Sequence, residues 1–257
     1  MEIHQSAIVS PSARLATGVK VGPFSTIGEN VIIGNNTFID SHVVIDGHTV
    51  IGERNRIFPY VSIGLPPQDI GYEDEVTLVE IGNDNVIREY TSINRATTKQ
   101  NRVTKIGNNN YLMAYCHVGH DCMLGDNIIM ANLANLGGHS VIGDHANLGG
   151  LVATHQFVKI GTHAFIGGMS AVSLDIPPYM MAVGNRAKLY GLNINGLRRN
   201  GFAKETINGL KRAYRIIWRE CGRTREGIKK VQNEMEPFPE LEILLDFINN
   251  SDRGVAR

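Results

Sequence analysis

Along most of this chain every sixth residue is aliphatic. Stepping by six from Ile3 gives Val9, Leu15, Val21, Ile27, Ile33, Ile39, Ile45, Ile51, Ile57 and Ile63, an unbroken run of eleven. At 42% hydrophobic content, chance would give such a run about once in 10⁴ trials. The register resumes at Ile81, Ile87 and Ile93. After a second break it continues through Ile106, Leu112, Val118, Leu124, Met130, Leu136, Ile142 and Leu148, crosses Thr154, and reaches Ile160, Ile166 and Val172. Thr154 is the one polar anchor in that block.

A period of six matches neither a free helix nor a free strand. It matches short flat strands, one per six residues, joined by sharp corners. Gly, Asp or Asn often follows the anchor, as at Gly22, Gly28, Gly34, Asp40, Asp46 and Gly52, and these residues tolerate corner dihedrals. Three such strands close a triangular coil, and successive coils stack about 4.8 Å apart with the anchors inward. The expected fold is therefore an all-β parallel β-helix. Two polar, turn-rich segments, 64–80 and 94–105, interrupt the register and are expected to bulge as loops, where binding groups collect on a rigid scaffold. The prism is expected to end near Asp175-Ile176-Pro177-Pro178. From about 190 the apolar residues take helical spacing (Ile207, Leu210, Ala213, Tyr214, Ile217, Trp218). Helix starts fall near Ala203-Lys204-Glu205 and Thr224-Arg225-Glu226, and Pro237 and Pro239 break a later pair. The expected organisation is a prism over 1–189 and an α-helical C-terminal domain over 190–257.

Superimposing successive coils places His120 beneath Gly138 and Gly138 beneath Gln156. Asp121 falls beneath His139 and Phe157, and His117 beneath Asn135 and Ala153. His155 lies over Gly137 and Gly119, next to the Thr154 break, and local violations of a pattern often mark function. His117, His120, Asp121, His139, His155 and Gln156 thus gather on one corner of three adjacent coils. The remaining histidines His42, His48, His145 and His163 are read as solvated surface residues. A neutral imidazole can deprotonate a hydroxyl if a neighbour fixes its tautomer, and Asp121 can serve His120 in this way. Gly138 would offer a backbone N–H to an oxyanion. No Ser or Cys stands in an obvious nucleophile setting, so direct attack by an acceptor is the simpler chemistry.

Longer motifs narrow the reading. His117-Val118-Gly119-His120-Asp121-Cys122, Gly137-Gly138-His139, Ala153-Thr154-His155-Gln156-Phe157, Asp175-Ile176-Pro177-Pro178-Tyr179, Gly184-Asn185 and Leu192-Asn193-Ile194-Asn195-Gly196-Leu197-Arg198-Arg199 resemble the UDP-N-acetylglucosamine O-acyltransferase family of lipid A biosynthesis, and they do so in order along the chain. The resemblance implies that the β-helix is left-handed. It also implies transfer of an (R)-3-hydroxyacyl group from acyl carrier protein to the 3-position of the glucosamine in UDP-N-acetylglucosamine. In that scheme His120 is the general base, Asp121 orients it and Gly138 donates to the oxyanion. Gln68, Asp69, His117, His139, His155, Gln156, Asn193 and Arg199 hold the substrates, and Gly168 caps the acyl groove as a ruler. The implied assembly is a homotrimer with each site between two prisms. No metal is implied, and no cofactor beyond the 4'-phosphopantetheine that the donor carries. Two departures concern anion binding: Gly71 stands where the family often has a lysine, and Asn200 where a second arginine often follows the first.

Charge adds one feature. The chain is neutral overall, yet residues 186–257 hold fifteen Lys/Arg against nine Asp/Glu, a balance of +6. A basic helical surface suits an acidic carrier protein, and nothing here suggests a nucleic-acid partner. Cys116, Cys122 and Cys221 lack metal-type spacing and read as reduced thiols. With no signal-peptide pattern and no apolar run long enough to span a bilayer, a cytoplasmic protein without stable membrane insertion is expected. Other readings stay open: a γ-type carbonic anhydrase with zinc on His117, His120 and His139, a sister enzyme or a 3-amino acceptor giving an N-linked product, and a purely structural β-helix.

Overall fold

The computed structural model describes residues 1–257 and contains a three-sided prism of parallel strands. Most strands are two residues long, and each set of three contributes one strand to each of three sheets, of eleven, nine and eight strands in chain order. Glu2 pairs with Lys20 and Ile8 with Thr26, one coil apart. The anchors are the core: Ile27, Ile39, Ile57, Ile87, Leu112, Val118, Leu136 and Ile166 are at most 1% exposed.

The two interruptions are shorter than expected. Strands Ser62–Leu65 and Leu78–Ile81 flank the first, leaving 66–77 as loop, and Ser92–Asn94 and Val103–Ile106 flank the second, leaving 95–102. The loop edges are recruited into strands because Val79 and Thr104 also point inward and are fully buried, and they pair with each other. The insertions show in the register: Arg56 pairs with Val86 and Val86 with Tyr111, instead of one coil on.

Corner chemistry also differs from expectation. The left-handed conformation falls on the third residue after the anchor, and many of these residues are large: Phe24, His42, Tyr60, Tyr90 and Tyr115 at φ near +60°. Stacking accompanies that strained geometry, with ring centroids 4.7–4.9 Å apart from His42 through Tyr115. His42 is therefore a rung of an aromatic ladder, and so is His163, which lies 4.5 Å from His145. The glycine directly after the anchor Ile33 is required for a different reason. A Cβ on Gly34 would come within 2.7 Å of the Gly52 backbone on the next coil.

Beyond the last coil, Met180–Val183 joins the first sheet and Lys188–Leu192 returns antiparallel to it, a hairpin that helical spacing does not reveal. Helices α1 (Ile194–Arg199), α2 (Lys204–Arg215), α3 (Thr224–Glu234) and α4 (Pro239–Asn249) follow, and a π-helical turn, Ile216–Glu220, extends α2. Ile207, Leu210, Ala213, Ile216 and Ile217 form the buried face of α2 and its extension. The C-terminal segment then doubles back onto the prism, where Ser251 Oγ donates to the buried Asp175 carboxylate at 2.7 Å and Val255 bridges Asp175. No helix is long and apolar enough to cross a membrane.

Candidate active site

The corner between the second and third sheets brings the expected histidines together. His120 Nδ1 lies 2.8 Å from Asp121 Oδ2. That same oxygen accepts from the Thr97 N–H at 2.9 Å and the Thr97 hydroxyl at 2.8 Å. Both side chains are buried. Burial pushes the Asp121 carboxyl up, but the hydrogen bonds from His120 and Thr97 outweigh it and hold the group below the usual carboxylate range. A carboxylate fixed in this way keeps the His120 proton on Nδ1 and leaves Nε2 free to act as a base.

Gly138 lies directly over that ring. Its N–H donates to no protein acceptor, whereas the corresponding amides of Asn108 and Asp126 are capped by Asp126 and Asp144 Oδ1 at 2.6 and 2.8 Å. Thr154 explains itself at the same corner. Its hydroxyl accepts from the Gly137 N–H at 3.0 Å and meets Ser140 Oγ at 2.9 Å, and Ser140 donates to the Gly137 carbonyl at 2.7 Å. The break in the aliphatic register therefore fixes the turn that presents Gly138.

His139 stacks flat on Phe157 at 4.3 Å and stands edge-on to His120. Its Nδ1 is 2.9 Å from Gln100 Oε1, and burial lowers its pKa. His117 Nδ1 is 2.8 Å from Ser92 Oγ, and burial, then the nearby His120, lowers its pKa as well. A serine thus does stand beside a histidine, across paired strands of the second sheet, which reading along the chain does not show. His155 and Gln156 are exposed on the coil above, and the Gln156 carbonyl receives Arg253 Nη1 at 2.9 Å. Burial pushes the Cys116 and Cys122 thiols up to about 11 and about 12, so both remain protonated and inert. The metal-type cluster that forms is His120, Asp121 and His139, with ligand atoms within 4.8 Å of one another. His117, needed for the three-histidine zinc set, is turned to Ser92 instead.

The second loop is knitted onto this corner through Thr97 and Gln100, two residues that spacing could not identify because their partners lie 24 and 39 positions away. Lys99, between them, pairs with Asp69 of the first loop, whose Oδ1 also accepts the Gly71 N–H at 2.9 Å. Lys99 and that amide hold the Asp69 carboxyl below the usual range. Gln68 is exposed beside it.

Asn193 and Arg199 are elsewhere. They line a cavity of about 520 Å³ with Phe165, His145 and Asn147, on the first sheet and the corner between the third and first sheets. Asn193 caps α1 through the Gly196 N–H at 3.1 Å and donates to the His163 carbonyl at 3.0 Å. Asn200 donates to the Gly196 carbonyl at 2.9 Å and so closes the other end of α1. Gly168 is exposed on the third of the three corners, between the first and second sheets, beside the protruding Met169. One chain therefore separates the His120 corner from the Asn193–Arg199 cavity and from Gly168.

Family models for bacterial transferase hexapeptide repeats match residues 12–47 and 104–138, and the model for UDP-N-acetylglucosamine O-acyltransferase, domain 2, matches 175–256. The acyl-[acyl-carrier-protein]–UDP-N-acetylglucosamine O-acyltransferase of Thermodesulfovibrio yellowstonii is 52% identical over 256 residues, covering 100% of this chain and 99% of that protein. The chain belongs to this family. An acyltransferase of the same name from a Sulfurihydrogenibium species is 57% identical, covering 100% of this chain and 94% of its own. The solved structure of the UDP-N-acetylglucosamine O-acyltransferase of Moraxella catarrhalis superimposes with a TM-score of 0.97 at 42% identity over the whole of both chains. Membership of this acyltransferase family accounts for the serial hexapeptide coils and the C-terminal helices together.

Proposed function

We propose that the protein transfers an (R)-3-hydroxyacyl group from acyl carrier protein to the glucosamine 3-hydroxyl of UDP-N-acetylglucosamine, the first step of lipid A biosynthesis, with His120 as general base. One observation carries the mechanism: the oriented His120–Asp121 pair lies beneath an uncapped backbone N–H of Gly138. His120 Nε2 takes the proton of the sugar hydroxyl as its oxygen attacks the thioester carbonyl. The tetrahedral oxyanion accepts the Gly138 N–H. Collapse forms the ester and breaks the carbon–sulfur bond, and the departing phosphopantetheine thiolate takes the proton back from the imidazolium, whose charge Asp121 stabilises.

The same reading extends to assembly and handedness. We take the coil to be left-handed, as the resemblance implies. The separation of the Asn193–Arg199 cavity from the His120 corner favours a homotrimer in which a neighbouring prism completes the site. In this scheme His117, His139, His155, Gln156, Gln68 and Asp69 hold the substrates on one side, and Asn193 and Arg199 hold them from the other. Arg198, Lys204 and Lys211 line a cleft of about 220 Å³ on the helical end, a basic surface suited to the acidic carrier protein. Three free cysteines suit a reducing, cytoplasmic setting. The proposed division keeps a prism followed by a helical domain but moves the boundary from 189/190 to after Leu192, because Lys188–Leu192 is a strand of the first sheet and the first helix begins at Ile194.

The test is subunit complementation. Mixed oligomers of His120→Ala and Arg199→Ala chains are expected to recover a share of the transfer that each variant lacks alone, assayed with UDP-N-acetylglucosamine and with its 3-amino analogue. Absence of recovery in verified mixed oligomers would refute the shared site.

A further inference from the structure

The two loops over the His120 corner are joined at several points. Thr77 Oγ1 donates to the Ala96 carbonyl at 2.6 Å, Arg95 donates to the Tyr72 hydroxyl at 2.9 Å, and Arg95 also donates to the Gly64 carbonyl at 3.0 Å. These contacts already hold the loops together. The Lys99–Asp69 pair is additional and differs in place. Lys99 follows Thr97 by two residues and precedes Gln100, and Thr97 bonds the Asp121 carboxylate while Gln100 bonds His139. The pair therefore sits at the mouth of the corner, one partner from each loop.

Position 71 borders the pair. A Cβ built on Gly71 would meet only Asp69 Oδ1 at 3.5 Å and Lys99 Nζ at 4.0 Å, ordinary contacts with open space beyond. The missing side chain at 71 and the ammonium of Lys99 thus adjoin. An ammonium has three donors. Asp69 takes one, and with the Lys99 side chain 55% exposed the others face outward.

We propose that Lys99 is a positioning residue for the nucleotide-sugar acceptor, reaching from the second loop to hold Asp69 in place while turning its free donors toward the acceptor's diphosphate. The inference rests on the acyl-transfer reading above for the identity of the acceptor. A cation at this mouth offsets the negative charge of Asp69 and Asp121, which would otherwise repel a diphosphate. The depressed Asp69 carboxyl, held down first by Lys99, agrees with that geometry.

The experiment compares wild type, Lys99→Gln, Lys99→Arg and the double variant Gly71→Lys/Lys99→Gln. Two readouts are taken: steady-state transfer, and calorimetric Kd for UDP-N-acetylglucosamine, which needs no turnover. Lys99→Gln is expected to raise KM and Kd for the nucleotide sugar about three- to tenfold, the range for a partly exposed charge, with kcat within about twofold. Lys99→Arg should retain most of the affinity. Gly71→Lys should restore most of it in the Lys99→Gln background, because the new ammonium can occupy the vacated space. Unchanged Kd in Lys99→Gln overturns the proposal. So does a loss that persists in Lys99→Arg and that Gly71→Lys does not repair, since Lys99 would then merely support the loop. A wild type that binds the nucleotide sugar but transfers no acyl group would instead sink the acyl-transfer reading, and the Kd ratios would still decide Lys99.

Discussion

The His120 ring packs against Gly138 so closely that a Cβ on Gly138 would lie 2.6 Å from both Cε1 and Nε2 of the imidazole. Position 138 is therefore glycine for a spatial reason, since the free N–H is one that any residue but proline would offer. A methyl there must displace the ring that carries the reactive nitrogen.

Gly138→Ala should accordingly lose transfer while keeping the fold, since φ at Gly138 is not in the left-handed region and alanine can adopt it. Misplacement of a base by about 1 Å can cost on the order of 10²-fold in rate. The check is kcat alongside thermal unfolding. A variant with normal turnover would show that the ring does not work from beneath this glycine.

His163 gives a stability prediction with a definite sign. Its Nδ1 is buried without a partner among His145, Phe202 and Tyr179, and burial, then the neighbouring His145, pushes its pKa down to about 4. The unfolded chain binds a proton near 6.5 and the folded chain only near 4, so this site's contribution is complete above about 6.5 and is lost as pH falls toward 4. Urea midpoints should fall across that window in wild type and fall less in His163→Phe. Parallel curves for the two proteins would contradict the assignment.

Chain-length preference follows from Gly168. A Cβ there would meet the Gly150 carbonyl at 3.2 Å and otherwise project into open space, so the proposed groove is unobstructed at this point. Each methylene buried is worth about 0.8 kcal/mol. Competition between ten- and fourteen-carbon donors should favour the longer one in wild type, and Gly168→Met should shift the ratio toward the shorter. Preference of wild type for the short donor, unchanged by the substitution, would remove Gly168 as the ruler and leave the exposed Met169 as the better candidate.

The prism is legible because its core repeats: Ile27, Ile57 and Ile166 each announce an inward position by spacing alone, and the same arithmetic stacks Gly138 on His120. What spacing cannot show lies off the repeat. Thr97, Gln100 and Lys99 reach the site through a loop whose length is not a multiple of six, and Ser92 meets His117 across that insertion. The hairpin of Met180–Val183 and Lys188–Leu192 is hidden because it pairs antiparallel, outside the hexapeptide pattern. His163 is not the solvated residue that its polarity suggests, and His42, although exposed, is stacked between Phe24 and Tyr60, because stacking between corners is a contact between coils, invisible to a count of polar residues.

His120 is the centre of the mechanism, and its removal is the most direct test. The measurement is single-turnover transfer from (R)-3-hydroxyacyl carrier protein to UDP-N-acetylglucosamine by His120→Ala, with Kd for the nucleotide sugar measured on the same preparation and mass spectrometry of the protein after reaction. Loss of a general base typically costs about 10²–10⁴-fold. The expected result is a fall in rate within that range, Kd within about threefold of wild type, and no acyl adduct on Ser92 or any other residue. Near-normal transfer by His120→Ala, or an acylated Ser92 that forms and decays at the rate of turnover, would contradict direct attack by a His120-activated hydroxyl.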